Sequence, residues 1–413
     1  MQILGLNSYL YAPKDDLKHR NHWRVPYNEE EEASLRELIA ASKEHNVLFI
    51  FAISPGLDMV FSSAEDELKL KNKLSQIQSL GCTAFALLFD DIETRLCLQD
   101  FQMFATAASA QATITNAIYE HLEKPEIFMF CPTEYCETRA VPTVPNSDYL
   151  TTLGSKLIPE IIVMWTGPLV ISKTIPSLSI RDLNRLLRRE VAIWDNLHAN
   201  DYDQRRLFLG PYSGRPLALK RRKLLRGILI NPNCEFEANY VAMHTLAQWT
   251  RHADDKHTKL ISCELDMKDV SDEEMFKHSV EINQALISEA LAKNQDVATL
   301  ILLPTYSPRE SLINALKDWL ALMYKEHLID KSSAEPMDTD SKPSLEMQVE
   351  ALDNLDIELS DLEIFADFFY LPFEHGPSAL RLLELGFWLR ENAYYANGTT
   401  GPLFHQSLVD NSL

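Results

Sequence analysis

The chain has 413 residues, 46% of them hydrophobic, enough to bury a large core and to hold more than one folding unit. Sixty acidic against 39 basic residues leave a net charge of −21, which argues against a nucleic-acid binder. No apolar run approaches the roughly 18 residues of a membrane span and no stretch resembles a signal peptide, so the chain reads as intracellular and its sequon Asn397-Gly398-Thr399 as idle.

Short apolar runs recur at residues 6–11, 47–53, 84–89, 127–130, 161–164, 191–194 and 227–230, with starts 30 to 43 residues apart, the size of one βα unit. Between them lie helical patterns. Residues 30–45 space Ala33, Leu35, Leu38 and Ile39 along one face, and residues 65–80 do the same with Leu68, Leu70, Leu74 and Ile77. The alternation predicts a parallel sheet of the α/β class, and its usual closed form is a (β/α)8 TIM barrel, which needs eight strands. Seven are present and only five residues precede the first, so the expectation is a TIM-barrel-like domain lacking its first strand, or an open sheet.

A helix is expected over 237–249, followed by charge-rich sequence. Ser307-Pro308 then starts an amphipathic helix, with Leu312, Leu316, Trp319, Leu320 and Met323 on its apolar face. Residues 330–361 carry ten acids and two bases and read as a disordered linker. Two short helices, 362–370 and 377–392, follow before a polar tail. The resulting division is a barrel domain at 1–252, a helical extension at 253–329, an acidic linker at 330–360, the start of an all-α segment at 361–392 and a disordered tail at 393–413.

The six cysteines include no CxxC pair, and Cys131 and Cys136 have no His pair beside them to complete a zinc set, so reduced core thiols are expected and no metal. The chain also lacks HxH, GxSxG, GxGxxG and P-loop motifs, and 210–215 reads as a turn.

Polar residues cluster just past the strands. The first strand runs into Lys14, Asp15 and Asp16, the third into Asp90-Asp91, and the fourth into Cys131-Pro132-Thr133-Glu134-Tyr135. The sixth leads to Trp194-Asp195-Asn196, His198 and Asp201, and the seventh to Asn231. In α/β folds the carboxyl ends of the strands build the site, and carboxylates, amides and aromatic rings there suit a sugar. Each residue also has a plainer reading. Asp90-Asp91 would serve equally as a helix cap, and Lys14 as one partner of a surface ion pair. Tyr135 and Trp194 would serve as core aromatics, Asn196 and Asn231 as turn residues, and His198 as a structural histidine. Their shared position at one end of successive strands favours the site.

Five segments, Tyr9-Leu10-Tyr11-Ala12-Pro13-Lys14-Asp15-Asp16, Leu87-Leu88-Phe89-Asp90-Asp91-Ile92, Phe130-Cys131-Pro132-Thr133-Glu134-Tyr135-Cys136, Trp194-Asp195-Asn196 through Asp201-Tyr202-Asp203, and Asn231-Pro232-Asn233-Cys234-Glu235-Phe236-Glu237-Ala238-Asn239-Tyr240, closely resemble the animal branch of glycoside hydrolase family 84. The likeness is dense over 6–250 and returns at Tyr370-Leu371-Pro372-Phe373-Glu374-His375-Gly376-Pro377, which resembles the start of the family's helical stalk. It implies removal of β-linked N-acetylglucosamine from Ser and Thr of cytoplasmic and nuclear proteins, without a cofactor.

By that resemblance Asp91 is the general acid/base. Asp90 orients the substrate's 2-acetamido group, whose carbonyl oxygen attacks to give an oxazoline and net retention. Tyr135 bonds the reacting acetamido oxygen and Trp194 walls the pocket, while Lys14, Asp195, Asn196, Asp201 and Asn231 contact the sugar. An ionised Asp90 would raise the pKa of Asp91 and keep it protonated. The family's Gly- and aromatic-rich first strand is absent, its stalk is cut after two helices and its acetyltransferase-like domain is missing. The expectation is therefore a truncated form whose homodimer is not assured, with an inactive binding or regulatory protein as the alternative.

Overall fold

All seven apolar runs form strands, each within two residues of its expected bounds: β1 (Ser8–Tyr11), β2 (Leu48–Ile53), β3 (Ala84–Leu88), β4 (Phe128–Cys131), β5 (Ile162–Trp165), β6 (Val191–Asp195) and β7 (Leu225–Ile230). The computed structural model describes residues 1–203, 205–254, 306–333 and 357–396, with Gln284 and Ser288. It divides into two compact units: Met1–Ala199, Tyr212–Pro232 and Ala242–Ser311 form the first; Asn200–Pro211, Asn233–Val241 and Leu312–Leu413 form the second. Most of the expected extension and tail, and linker residues 334–356, lie outside the described residues.

In the first unit the strands pair in chain order, β1 through β7, all parallel, and form a nearly closed TIM-barrel-like sheet. Helices α1 (Glu29–Glu44), α2 (Ala64–Ser79), α3 (Leu98–Phe104), α4 (Ala107–His121), α5 (Asp148–Lys156), α6 (Ser177–Leu187) and α7 (Ala218–Arg221) lie between strands along the chain, and α8 (Asn239–Asp254) follows β7. The α1 start is a capping box, with the Asn28 side chain accepting from the Glu31 N–H and Glu31 accepting from the Asn28 N–H.

Strand side chains alternate between two packing environments, as a period of two demands. Phe49, Phe51, Ile53, Phe85, Leu87, Phe89, Phe128, Phe130, Val163, Trp165, Val191 and Ile193 pack with helix residues such as Leu70, Ile118 and Leu183. Ile50, Ala52, Ala84, Ala86, Leu88, Met129, Cys131, Ile162, Met164 and Ala192 form the other cluster, which contains no helix residue among the described residues. Large rings thus fill the space beneath the helices, and mostly smaller side chains line the concave face.

The helix faces differ from expectation: Ala33, Leu38 and Leu68 are exposed, whereas Lys73 is buried. Its ammonium donates to the Val25 carbonyl and lies 3.9 Å from the centre of the Tyr27 ring. A lysine with such partners fills a core position that hydropathy alone gives to leucine.

β1 and β7 end the strand order and do not pair with each other. None of their residues is buried, whereas β3 and β4 are buried throughout. Cys82, Cys131 and Cys136 are buried free thiols as expected, but Cys97 and Cys234 are exposed because they sit in loops; Cys263 lies outside the described residues.

In the second unit, Leu209, Ala238, Val241, Leu312, Leu316, Leu362 and Ala366 form a core. Helix α9 (Pro308–Ser333) starts at Ser307, whose hydroxyl accepts from the Glu310 N–H, and continues four residues into the expected linker. Helices α10 (Leu359–Phe368) and α11 (Pro377–Ala396) correspond to the two short helices, with α11 extending past residue 392. Among the described residues no helix is long and apolar enough to cross a membrane.

Candidate active site at the carboxyl ends of the strands

The concave face of β3 reads Ala84, Ala86, Leu88, and the next residue of that parity is Asp90. Its Oδ1 is closed off from solvent and has no hydrogen-bond partner among the described residues. Burial pushes the Asp90 carboxyl up from its ordinary range; Arg20 pulls it down and Asp91 adds to the rise.

Asp91 leaves the strand through a left-handed turn (φ 49°). Aspartate tolerates this conformation better than most residues with a side chain. The turn sets its Oδ1 2.8 Å from the donating Tyr135 hydroxyl and 3.1 Å from Arg139 Nη2. The next helix, α3, starts at Leu98 with Cys97 at its N-cap, so neither aspartate is a helix cap.

The two carboxyls differ in environment: burial favours the neutral form of Asp90, whose Oδ1 has no hydrogen-bond partner among the described residues, while half-exposed Asp91 accepts from Tyr135 and Arg139.

The β4 loop that carries Tyr135 is fixed from several sides. Thr133 Oγ1 donates to the Phe89 carbonyl at 2.8 Å, and the Tyr149 hydroxyl accepts from the Thr133 N–H at 2.9 Å. The Thr166 N–H donates to the Tyr135 carbonyl at 2.9 Å. Burial and the Asp91 carboxylate both push the Tyr135 phenol up, so it stays a donor.

On β6 the concave parity runs through Ala192, Trp194 and Asn196, and on β7 through Leu229 and Asn231. These polar ends meet. The Trp194 indole N–H and the Asn231 amide both donate to Asn196 Oδ1 at 3.1 Å, and the Asn196 amide donates to the Val170 carbonyl at 2.8 Å.

Asp195 has the opposite parity, and its placement corrects the expected sugar contact. It forms an ion pair with Arg215 at 2.6 Å, with side-chain exposures of 0% and 1%. The Tyr212 hydroxyl and the Leu197 N–H occupy its oxygens as well. Burial raises its carboxyl, but Arg215 outweighs that and holds it below the usual range. Both partners come from 210–215, which is therefore the support of the β6 end rather than a simple turn.

Lys14 lies on the concave parity of β1, following Leu10 and Ala12, and is exposed. Asp16 next to it accepts from the Tyr11 hydroxyl at 3.1 Å and the Tyr27 hydroxyl at 2.6 Å, which ties down the loop. His19 is buried, with Nδ1 2.8 Å from the Ala52 carbonyl, and burial lowers its pKa. His198 is likewise buried. Asp201 belongs to the second unit, beside Asn200, whose amide reaches Glu235 at 2.7 Å and the Arg206 carbonyl at 3.0 Å.

Arg139, Tyr212 and Arg215 carry no recognisable local pattern. Only Tyr212 and Arg215 had a signal available, since a buried outward-facing Asp195 requires a cationic or donor partner. No cluster of three metal-ligating side chains occurs among the described residues. The arrangement offers two adjacent carboxyls of unlike environment, a phenol donor, an indole and paired amides at one end of the sheet.

The sequence matches the profile of a family described as beta-N-acetylglucosaminidase over residues 1–277. Protein O-GlcNAcase of Rattus norvegicus is 36% identical over 521 aligned positions, which cover 95% of this chain and 55% of that protein. Protein O-GlcNAcase of Mus musculus is 49% identical over 320 positions, covering 78% of this chain and 33% of that protein. The chain thus spans about half or less of the length of these curated relatives. Among solved structures, a point mutant of the Thermobaculum terrenum O-GlcNAc hydrolase matches with a TM-score of 0.57 at 28% identity, over 89% of this chain and 77% of that one.

Proposed function

The chain belongs to the β-N-acetylglucosaminidase family, and on that premise we propose that it hydrolyses β-linked N-acetylglucosamine from serine and threonine hydroxyls of proteins. The observation that carries this proposal is the solvent-shielded Asp90 Oδ1, without a donor among the described residues, beside an Asp91 already bonded to Tyr135. A buried acceptor without a partner costs free energy that an incoming N–H recovers. The N–H of a 2-acetamido group is such a donor, one bond from the carbonyl that must be aimed at the anomeric carbon.

Bonding of that N–H to Asp90 favours its ionised form, and the new negative charge next to Asp91 then favours a proton there. The acetamido oxygen attacks the anomeric carbon while Asp91 gives its proton to the departing serine or threonine oxygen, leaving a protonated oxazoline whose N–H stays bonded to the Asp90 carboxylate. Asp91 next takes a proton from the water that opens the oxazoline, and the sugar leaves with its β configuration retained. Tyr135 bonds the reacting acetamido oxygen and Trp194 walls the pocket. Lys14, Asn196 and Asn231 contact the sugar hydroxyls. Asp195 positions Trp194 and Asn196 through Arg215.

The buried thiols of Cys82, Cys131 and Cys136 fit a reducing compartment, and the proposed location is cytoplasm and nucleus, testable by fractionation.

The test is turnover of a 4-nitrophenyl β-N-acetylglucosaminide by the full chain, with the first-formed anomer read by proton NMR. Asp91→Asn is expected to lower activity by about 100- to 10,000-fold. Asp90→Asn is expected to lose mainly kcat. Folded protein without turnover would overturn the proposal. β1 and β7, not paired with each other and incompletely buried, favour a second reading, a sugar-binding protein without catalysis. Calorimetric binding of an oxazoline mimic with no accompanying turnover would select it.

A further inference from the structure

We infer that Arg139 is a specificity-determining residue that favours a glycosylated serine or threonine with an acidic neighbour. The inference rests on the proposed role of Asp91. Arg139 ends the turn Glu137–Arg139, whose backbone is fixed by bonds from the Glu137 N–H to the Gly167 carbonyl at 3.0 Å and from the Thr138 N–H to the Pro168 carbonyl at 3.1 Å. From that anchored base its guanidinium reaches Asp91 Oδ1 at 3.1 Å and lies 5.6 Å from the Tyr135 ring centre. Its side chain is 52% exposed, so the ion pair is solvent-screened and readily exchanged.

An acid that protonates the leaving oxygen must come within hydrogen-bond reach of it, which places the first atoms of the aglycone within about 6 Å of the Arg139 guanidinium. Arg20 adds a second cation on this side, its Nη2 3.5 Å from the Asp91 backbone carbonyl. A carboxylate on the aglycone at that distance draws the half-exposed Arg139 guanidinium to itself and is held there by a charge-assisted hydrogen bond. The gain is local, since a chain of net charge −21 repels acidic peptides at long range and exposed Glu137 shares the turn.

The experiment compares three glycopeptides that differ only beside the glycosylated serine, carrying Glu, Gln or Lys. With the full chain at low salt, kcat/KM for the Glu peptide is expected to exceed that for the Gln peptide about tenfold, and the ratio to shrink as salt is added. In Arg139→Gln the ratio falls to about one, in Arg139→Lys part of it remains, and in Arg185→Gln, an exposed arginine on α6, it stays at the wild-type value. A ratio taken within one preparation is independent of how much of the protein is folded. Equal rates for the wild type, or an unchanged ratio in Arg139→Gln, overturn the role of Arg139 alone. No hydrolysis of any peptide by folded protein overturns both this role and the proposed activity.

Discussion

Trp194 and Asn231, at the ends of adjacent strands, donate to one and the same atom, Asn196 Oδ1, each at 3.1 Å. Asn196 is itself buried and gives its own N–H to Val170, so one side chain holds an indole and an amide at the strand ends. Its removal leaves two donors without their acceptor.

Asn196→Ala is expected to raise KM for an aryl β-N-acetylglucosaminide by about tenfold, with a smaller effect on kcat. Because Asn231 acts through the same oxygen, adding Asn231→Ala is expected to cost less than the sum of the single changes. Steady-state kinetics on the four proteins check both statements.

The Asp195–Arg215 pair has no access to water, so cutting it on one side strands a charge. Arg215→Met is expected to destabilise the chain by about 3–5 kcal/mol in urea unfolding. The double variant Asp195→Asn, Arg215→Met is expected to recover part of that loss, because no uncompensated ion remains.

Asp90→Asn is expected to stabilise the protein while reducing its activity. Burial raises the Asp90 carboxyl, so the native state holds more protons than the unfolded chain once pH exceeds the ordinary carboxylate range. Stability from this group therefore falls as pH rises through that window. Melting curves should show the variant above wild type at pH 7, with a smaller gap at pH 4.

Lys73 gives a pH dependence of the opposite sign. Burial lowers its ammonium to about 8, with Asp16 and Glu31 pulling upward and Lys18 downward. Between that value and the unfolded pKa of about 10.4 the unfolded chain binds more protons, so this lysine adds stability as pH rises. Cys82 and Cys131, both raised by burial, act against it over the same range, which makes the comparison with Lys73→Met the informative one. Wild type is expected to gain about 2 kcal/mol on the variant between pH 7 and pH 9.5 in denaturant titrations.

The sheet was legible because its strands are buried on two faces, and such strands need unbroken apolar runs like 84–89. Edge strands blur by two residues, as at Ser8 and Leu225, because less burial constrains their composition. Asp90, Trp194, Asn196 and Asn231 share the concave parity, and strand-end position alone singled them out. Asp195 was drawn in with them because adjacency in sequence hides the reversal of side at each residue. Arg139 and Arg215 act through partners 48 and 20 residues away, a relationship that no local pattern encodes. Lys73 was hidden for another reason, since hydropathy ranks it as solvent-facing whereas its stem and ring contact make it a core residue.

The left-handed backbone at Asp91 restricts which residues can occupy that corner before any chemistry is considered. Alanine there would lose the carboxylate and also resist the bend, so its effect would mix folding with catalysis. Asparagine keeps the corner's shape and is the cleaner silencing change. Gain-of-function searches at this position are confined by the same geometry to the few short polar side chains, and glycine, that the bend accepts.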